Sequence, residues 1–261
     1  MIKLIASDLD GTLLDDNKKL PENFSDTLSQ LFDKKIRFVV SSGRSFASLK
    51  PLFPNYINEL TFICDNGAFI YDKGKLVSVS VIPSNEVTEI VKFCTELGLI
   101  VLLCGKNGTW HNSDTSSGNK EIANYYINQE KMDDLTKCND DIFKIAIFEE
   151  GGIEDSAYPK LISKFGDKFN CQLSGKYWVD IMNKGISKGV ALKTLQNRLG
   201  INYESTMAFG DFLNDAEMLE NAYYSFAMQN SHDSIKRIAN FMTGSNNDNS
   251  VIKEIEKYCL N

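Results

Sequence analysis

The sequence predicts an α/β fold, a Rossmann-like doubly wound parallel sheet core with an inserted mixed α/β cap domain. Three observations support this prediction. Short apolar runs of strand length alternate with longer runs of helical period through most of the 261 residues. Polar clusters follow several of the apolar runs at the point where each run ends, which is typical of ligand-binding loops in open α/β sheets. A long middle stretch interrupts this pattern with an alternation of its own.

The first and last parts of the chain carry the pattern of one sheet. In residues 1–82, we expect strands at 2–8, 36–40 and 61–64, helices at 21–33 and 46–53, and a hairpin at 68–71 and 75–82. In residues 185–261, we expect strands at 206–209 and 224–227 and helices at 188–199, 215–221, 233–239 and 251–258. Parallel strands need crossover connections, which pass right-handed over the faces of the sheet.

The middle stretch has its own alternation of predicted helices and strands, as expected of a separate folding unit. We expect helices at residues 85–97, 119–127 and 153–165 and strands at 99–104, 108–111, 142–149, 170–174 and 177–182. About 100 residues with apolar faces of their own form a domain rather than a loop. The predicted division is therefore a core domain at residues 1–82 and 185–261 and an inserted α/β cap domain at residues 83–184.

Composition and charge exclude several classes of protein. Hydrophobic residues make up 43% of the chain and charged residues 24%, as in an ordinary soluble globular protein. The formal net charge of -7 and the absence of a clustered basic run argue against a nucleic-acid partner. No run approaches the roughly 18 apolar residues of a membrane span, and the first residues lack the pattern of a signal peptide.

Cysteine and histidine usage points to an intracellular protein without zinc. The six cysteines contain no CxxC pair, which indicates reduced thiols and a cytoplasmic location. The two histidines, His111 and His232, have no ligand partner at short spacing, so a zinc site is not expected. No obligate protein partner is evident, and the oligomeric state stays open.

The first polar cluster is a pair of carboxylates, Asp8 and Asp10, at the end of the first predicted strand. Two carboxylates two residues apart attract a hard dication, and Mg2+ takes oxygen ligands while keeping room for a phosphate in its shell. A cation would also let a carboxylate attack phosphorus despite its own negative charge. Gly11 allows a sharp turn beside the ligand, and the Thr12 hydroxyl can hold that turn. Taken alone, the pair could merely end a strand and begin a loop.

Other polar clusters have similar alternatives when each is taken alone. Ser42-Gly43-Arg44 offers a hydroxyl, backbone amides and a guanidinium to an anion, but could be a turn that opens a helix. Lys188 could be a surface lysine, and the segment from Asp211 to Asp215 could only cap a helix. The order of the four polar clusters along the chain favours the catalytic interpretation over the structural ones. A carboxylate pair, a hydroxyl with glycine, a lysine and a second acidic group are the parts that phosphoryl transfer requires.

With this order of motifs, the sequence closely resembles the haloacid dehalogenase-like phosphohydrolases, in particular the Cof-type sugar-phosphate phosphatases. The matching segments are Asp8-Leu9-Asp10-Gly11-Thr12-Leu13-Leu14, Ser42-Gly43-Arg44, Asn66-Gly67-Ala68, Ser187-Lys188-Gly189 and Gly210-Asp211 with Asn214-Asp215. The chain departs from the family pattern at Phe212-Leu213, Gln229 and Asn249-Ser250, so substrate identity is not carried across.

The resemblance implies a role for each matching residue. Asp8 would be the nucleophile and a metal ligand. Asp10 would act as general acid and then general base, and its carbonyl would bind Mg2+. Ser42 and Lys188 would hold the phosphoryl oxygens, and Asp211 would complete the metal ligands with Asp215 behind it.

The remaining matching residues would face the substrate. Gly43 and Asn214 would lie near the phosphate, and Arg44 and Asn66 would line the substrate side. The substrate would be a small phosphorylated metabolite, with sugar phosphates first and nucleotides, pyridoxal phosphate and flavin mononucleotide still open.

The inserted domain is expected to act as a lid, because the loop between Asp10 and Glu22 is too short to cover a site. Its candidate substrate contacts are Lys106, Asn107, Asp114, Tyr125 and Trp178. Three rival interpretations remain: a phosphomutase, a non-enzymatic phospho-acceptor resembling receiver domains, and an inactive binding module on the same fold. The second acidic cluster and the inserted domain argue against the phospho-acceptor.

Overall fold

A computed structural model describes residues 1–126 and 128–260 of the chain. The strands of this part are β1 (Leu4–Ser7), β2 (Arg37–Ser41), β3 (Thr61–Cys64), β4 (Phe69–Asp72), β5 (Lys75–Val79), β6 (Ile100–Gly105), β7 (Thr109–His111), β8 (Gln129–Lys131), β9 (Ile142–Phe148), β10 (Phe169–Gly175), β11 (Trp178–Asn183), β12 (Thr206–Gly210), β13 (Tyr224–Ala227) and β14 (Phe241–Met242). The helices are α1 (Phe24–Asp33), α2 (Phe46–Leu49), α3 (Ser84–Glu96), α4 (Ser116–Tyr125), α5 (Tyr158–Phe165), α6 (Lys188–Leu199), α7 (Ala216–Glu220), α8 (Asp233–Ile238) and α9 (Ser250–Ile255).

The first and last parts of the chain build one sheet, called here the core sheet. Its strand order is β14-β13-β12-β1-β2-β3-β4-β5. From β14 to β3 neighbouring strands run parallel, and β4 and β5 add an antiparallel edge. Ile5 in the central strand β1 pairs with Phe38 on one side and Met207 on the other. Segments far apart in sequence therefore meet at the middle of this sheet.

Apolar side chains leave the core sheet on both faces, and helices cover each face. Because successive strand residues point to opposite sides, Ile5 joins a cluster with Leu28 of α1 and Ile252 of α9, whereas Leu4 joins a cluster with Leu192 of α6. Helices on both faces of a mostly parallel sheet confirm the predicted doubly wound α/β class.

The middle stretch builds a second sheet, with strand order β10-β11-β9-β6-β7-β8. One face packs against α3 and α5 through residues such as Ile90 and Leu161. The opposite face, which carries Leu102 and Ala146, packs against Ala68 of the core. We call residues 83–184 the inserted segment. The predicted domain bounds themselves stay a prediction.

Some element bounds differ from those predicted. Helix α5 begins at Tyr158 rather than residue 153, with Pro159 in its first turn, where proline is tolerated. The short edge strands β8 and β14 were not predicted, and the last helix continues as a π-helix at Glu256–Leu260. The helix predicted at residues 119–127 is α4, which spans Ser116–Tyr125, and Ile127 lies outside the described residues. Within residues 1–126 and 128–260, no helix has the length and apolar character needed to cross a membrane.

Candidate active site

The predicted polar clusters meet at the carboxyl edge of the core sheet. Asp8 follows β1, Ser42 follows β2 and Asp211 follows β12, and β1 lies between β2 and β12 in parallel register. The amide of Asp8 donates to the carbonyl of Phe209 at 3.0 Å, and the amide of Ser42 donates to the carbonyl of Ile63 at 2.8 Å. These backbone bonds continue the strand ladder into the loops and fix where the side chains project.

Three carboxylates converge at this edge. Asp8, Asp211 and Asp215 each offer an oxygen within 4.8 Å of the others. This is the convergence of acidic groups from opposite ends of the chain on which the sequence prediction depends. An all-oxygen donor set of this kind fits Mg2+.

Lys188 is the buried cation of the cluster. Ser187 caps α6 by accepting the amide of Val190 at 3.1 Å, which directs Lys188 from the first turn of the helix into the site. Its Nζ donates to Oδ1 of Asp8 at 2.6 Å and to Oδ1 of Asp215 at 2.7 Å. One ammonium thus bridges two of the three carboxylates.

Backbone and hydroxyl donors orient the acidic loop. The amides of Asp211 and Phe212 donate to Oδ2 of Asp215 at 3.0 and 3.1 Å, and the Thr12 hydroxyl donates to Oδ1 of Asp211 at 3.1 Å. Gly11 has a φ of 82°, and a Cβ there would collide with Oδ2 of Asp211. Glycine is therefore required at this position both for the turn and for the space that Asp211 occupies.

The cluster carries more negative charge than Lys188 neutralises. Burial raises the pKa of Asp8 to about 7 despite the attraction of Lys188. Burial and the charges of Asp8 and Asp215 raise the pKa of Asp211 well above its ordinary value. A dication would offset this repulsion, so the electrostatics as well as the ligand type fit Mg2+.

Asp10 lies apart from the three clustered carboxylates. Its two oxygens accept Nε and Nη2 of Arg44 at 2.7 and 2.6 Å, and Oδ1 also accepts Nζ of Lys18 at 2.8 Å. Burial alone would raise the pKa of Asp10, but these two cations hold it below the ordinary value. Sequence reasoning assigned Arg44 to the substrate and missed Lys18, whose loop position carries no motif.

A cavity of about 430 Å³ opens beside Asp8 and Asp10. Its walls contain predicted site residues and residues of the inserted segment: Ser42, Gly43, Arg44, Asn214, Tyr125, Trp178 and Asp180. Asn66 is fully buried, and its amide contacts Asp180 and Asn214 instead of the cavity.

The other predicted contacts of the inserted segment lie elsewhere. Lys106 and Asn107 line a different cavity, and Asp114 pairs with Lys131 at the surface. The binding roles of all these residues stay predictions.

The doubly wound sheet, with carboxylates clustered at its carboxyl edge, places the chain among the α/β proteins that bind ligands at the ends of parallel strands. The chain belongs to the haloacid dehalogenase-like hydrolases, because the model of that family matches residues 5–255. The family predicted from the motifs is thereby confirmed, and with it the enzyme class, since relatives that span the chain are named as phosphatases.

Relatives and solved structures match nearly the whole chain. The 5-amino-6-(5-phospho-D-ribitylamino)uracil phosphatase of Escherichia coli is 32% identical, over 98% of this chain and 96% of that protein. A Bacillus subtilis protein with the same enzyme name is 25% identical, over 99% and 96%. The crystal structure of a Streptococcus mutans protein covers 100% of both chains, with a TM-score of 0.95 and 28% identity.

Proposed function

We propose that the protein is a Mg2+-dependent phosphatase that hydrolyses a small phosphorylated metabolite through a phospho-aspartate on Asp8. The observation that carries this proposal is the cluster of Asp8, Asp211 and Asp215, two of whose carboxylates accept hydrogen bonds from Lys188. The side chains of Asp8 and Asp211 and the carbonyl of Asp10 would hold Mg2+, with Asp215 behind them. When bound, the ion would offset negative charge on the phosphoryl oxygens.

In the first half of the reaction, a carboxylate oxygen of Asp8 forms a bond to phosphorus as the bond to the leaving oxygen breaks. Asp10 gives its proton to that leaving oxygen. Lys188 and the Ser42 hydroxyl donate to the non-bridging oxygens, where negative charge is stabilised by fixed groups. The proton on Asp10 is favoured once a dianionic phosphate lies beside it, because a neighbouring negative charge raises the pKa of a carboxyl.

In the second half, water attacks phosphorus, the bond to Asp8 breaks, and Asp10 takes the proton of the water. The contacts of Asp10 with Arg44 and Lys18 hold its pKa low, although burial alone would raise it, and so keep it in the basic form that this step needs. Free phosphate leaves and Asp8 is restored as a carboxylate.

For the substrate, we propose a sugar or sugar-alcohol phosphate. The two relatives named above act, by name, on a phosphorylated ribitylaminouracil, which carries its phosphate on an open-chain polyol. A cavity of about 430 Å³ has room for such a molecule. The rings of Tyr125 and Trp178 on the inserted-segment wall favour a substrate with a flat group beyond the polyol.

The proposal is tested with a panel of phosphorylated metabolites, assayed for free phosphate with Mg2+ and with a chelator. The panel contains sugar phosphates, nucleotides, pyridoxal phosphate, flavin mononucleotide and the phosphorylated ribitylaminouracil. We expect phosphate release only with Mg2+ and only from variants that retain Asp8. Asp8→Asn removes the nucleophile, and Asp133→Asn is the control because that side chain is 97% exposed.

Two outcomes would contradict the proposal. Turnover by Asp8→Asn would exclude Asp8 as the nucleophile. Migration of phosphate within a sugar, without release, would identify a phosphomutase.

A further inference from the structure

A second group of buried ionisable side chains lies next to the active-site cavity, which one of them, Asp180, also lines, and the reaction steps above do not use this group. Lys144 of β9 is fully buried, and Asp65 and Asp180 are 1% and 3% exposed. Burying ions is costly, and apolar residues of similar volume often stabilise a fold at least as well. Three ionisable groups held away from water must therefore be stabilised by the groups that they contact.

Lys144 crosses from the second sheet to two loops of the core sheet. Its Nζ donates to the carbonyl of Gly43 at 2.5 Å and lies 3.1 Å from Oδ1 of Asp65. Within the inserted segment, the ammonium lies 3.9 Å from Oδ2 of Asp180 on β11 and 5.4 Å from the ring centroid of Tyr126, which follows α4. Gly43 lies between Ser42 and Arg44 in the loop that we assign to phosphate binding. Lys144 therefore contacts the backbone of this loop, not the side chains that would face the phosphate.

Asp180 reaches a different wall of the same site. Its Oδ2 accepts Nδ2 of Asn66, and Oδ1 of Asn66 accepts Nδ2 of Asn214 at 3.0 Å. Asn66 adopts a φ of 53°, a left-handed conformation that needs support from its surroundings. A side chain on the inserted segment thus orients Asn214, which lines the cavity, through one intermediate residue.

Apolar packing joins the same two parts of the molecule. Phe212 and Leu213, in the loop that carries Asp211, pack against the apolar cluster of the inserted segment. Ala68, next to the Asp65 loop, packs against the other face of the second sheet. The loops after β2, β3 and β12 therefore all contact the inserted segment.

We infer that Lys144 and Asp180 are positioning residues, which hold the phosphate-facing loops from the inserted segment and so make the phosphate site depend on its docking. Lys144 fixes Ser42 and Arg44 through the Gly43 carbonyl, and Asp180 fixes Asn214 through Asn66. Neither residue has a role in the bond-making and bond-breaking steps of the reaction above. The inference depends on the proposed function in one respect: the position of the phosphate site is taken from it.

The test compares Lys144→Met with Lys168→Met, a change in the same segment at an exposed lysine paired with Glu86 at 3.1 Å. For Lys144→Met we expect the inhibition constant of inorganic phosphate to rise about 10-fold, because the contact that orients the loop is lost. We expect kcat/KM to fall roughly 100-fold, since small misplacements in a site have effects of this size. Lys168→Met should change neither quantity.

An inhibition constant does not depend on the fraction of folded protein, so it separates positioning from lost stability. Because Lys144→Met leaves Asp65 buried without its cation, the double variant Lys144→Met/Asp65→Asn is measured as well. We expect it to recover resistance to urea but to keep the weak phosphate binding. The inference would be overturned if the folded double variant had the same inhibition constant for phosphate and the same kcat as the wild type.

Failure of the proposed function is recognised separately. A wild-type protein that binds phosphate with Mg2+ in a calorimeter but releases none from any substrate would refute the phosphatase proposal. Phosphate affinities of the variants, measured by the same titration, would then still decide the role of Lys144.

Discussion

Nζ of Lys188 lies 2.6 Å from Oδ1 of Asp8, although 180 positions separate the two residues in the chain. The contact forms because β1 and the start of α6 meet at the carboxyl edge of the core sheet. Lys188 is fully buried and also contacts Asp215, so it is the main positive charge that the described chain places within the acidic cluster. The stability and the proposed chemistry of the site therefore both depend on one ammonium group.

Lys188→Met should impair both the stability of the protein and its catalytic activity. Removing one stabilising donor from a phosphoryl site lowers kcat by roughly 100- to 1,000-fold. Leaving Asp8 and Asp215 buried without their cation should cost about 3 kcal/mol in the free energy of unfolding of the metal-free protein. Mg2+ should restore part of this loss. Urea unfolding with and without Mg2+, together with phosphate release, measures both effects, and Lys193→Met on the exposed side of α6 is the control.

The raised pKa of Asp8 predicts an unusual dependence of stability on pH. Its pKa is about 3.8 in the unfolded chain and about 7 in the metal-free fold, because burial disfavours the charged carboxylate. A raised pKa means that the folded state binds the proton more tightly. The stabilising contribution of the protonated form is therefore complete below pH 4 and is lost as the pH rises through about 7.

Asp8→Asn removes this ionisation and isolates its effect. In the presence of a chelator, the variant should be more stable than the wild type at pH 8, by on the order of 4 kcal/mol, and similar to it near pH 4. Mg2+ at pH 8 should raise the melting temperature of the wild type more than that of the variant. Parallel stability curves for the two proteins between pH 4 and pH 8 would refute the buried ionisation.

The sequence allowed the site to be predicted where a local motif marks a strand end. Asp8, Ser42 and Asp211 each follow an apolar run, and parallel strands bring such ends together whatever their separation along the chain. Lys18 and Lys144 carry no such mark. Lys18 lies in a loop and Lys144 lies inside β9, and both reach the site only through tertiary packing. The hydrophobic periodicity of the sequence contains no information about such packing. The same limit applies to Asn66, whose neighbour Asp180 comes from another sheet.

Arg44 should control the protonation of Asp10. Burial acts to raise the pKa of Asp10, but the two hydrogen bonds and the charge of Arg44, aided by Lys18, hold it below its ordinary value. Arg44→Met removes the larger of these two cationic influences, so the pKa of Asp10 should rise. The limb of the pH-rate profile that reports Asp10 should move to higher pH, whichever half of the reaction limits the rate.

Carbon-13 NMR of labelled aspartate checks the same direction without turnover. Arg198→Met, at an exposed position of α6, removes the same charge far from Asp10 and should leave the profile in place. An unchanged Asp10 titration in Arg44→Met would mean that the ion pair does not set the acidity of this group.

Gly11→Ala should weaken metal binding through a steric route. The φ of Gly11 is 82°, and an added Cβ would meet Oδ2 of Asp211. The left-handed backbone alone costs about 1 kcal/mol for a residue other than glycine, and displacement of a metal ligand weakens affinity by roughly 10-fold or more. Gly98→Ala separates the two effects, because Gly98 has a φ of 71° with nothing within 4 Å of the added Cβ. Both variants should lose stability, but only Gly11→Ala should bind Mg2+ more weakly in a calorimetric titration. Equal Mg2+ affinities in the two variants would show that Asp211 is not a metal ligand.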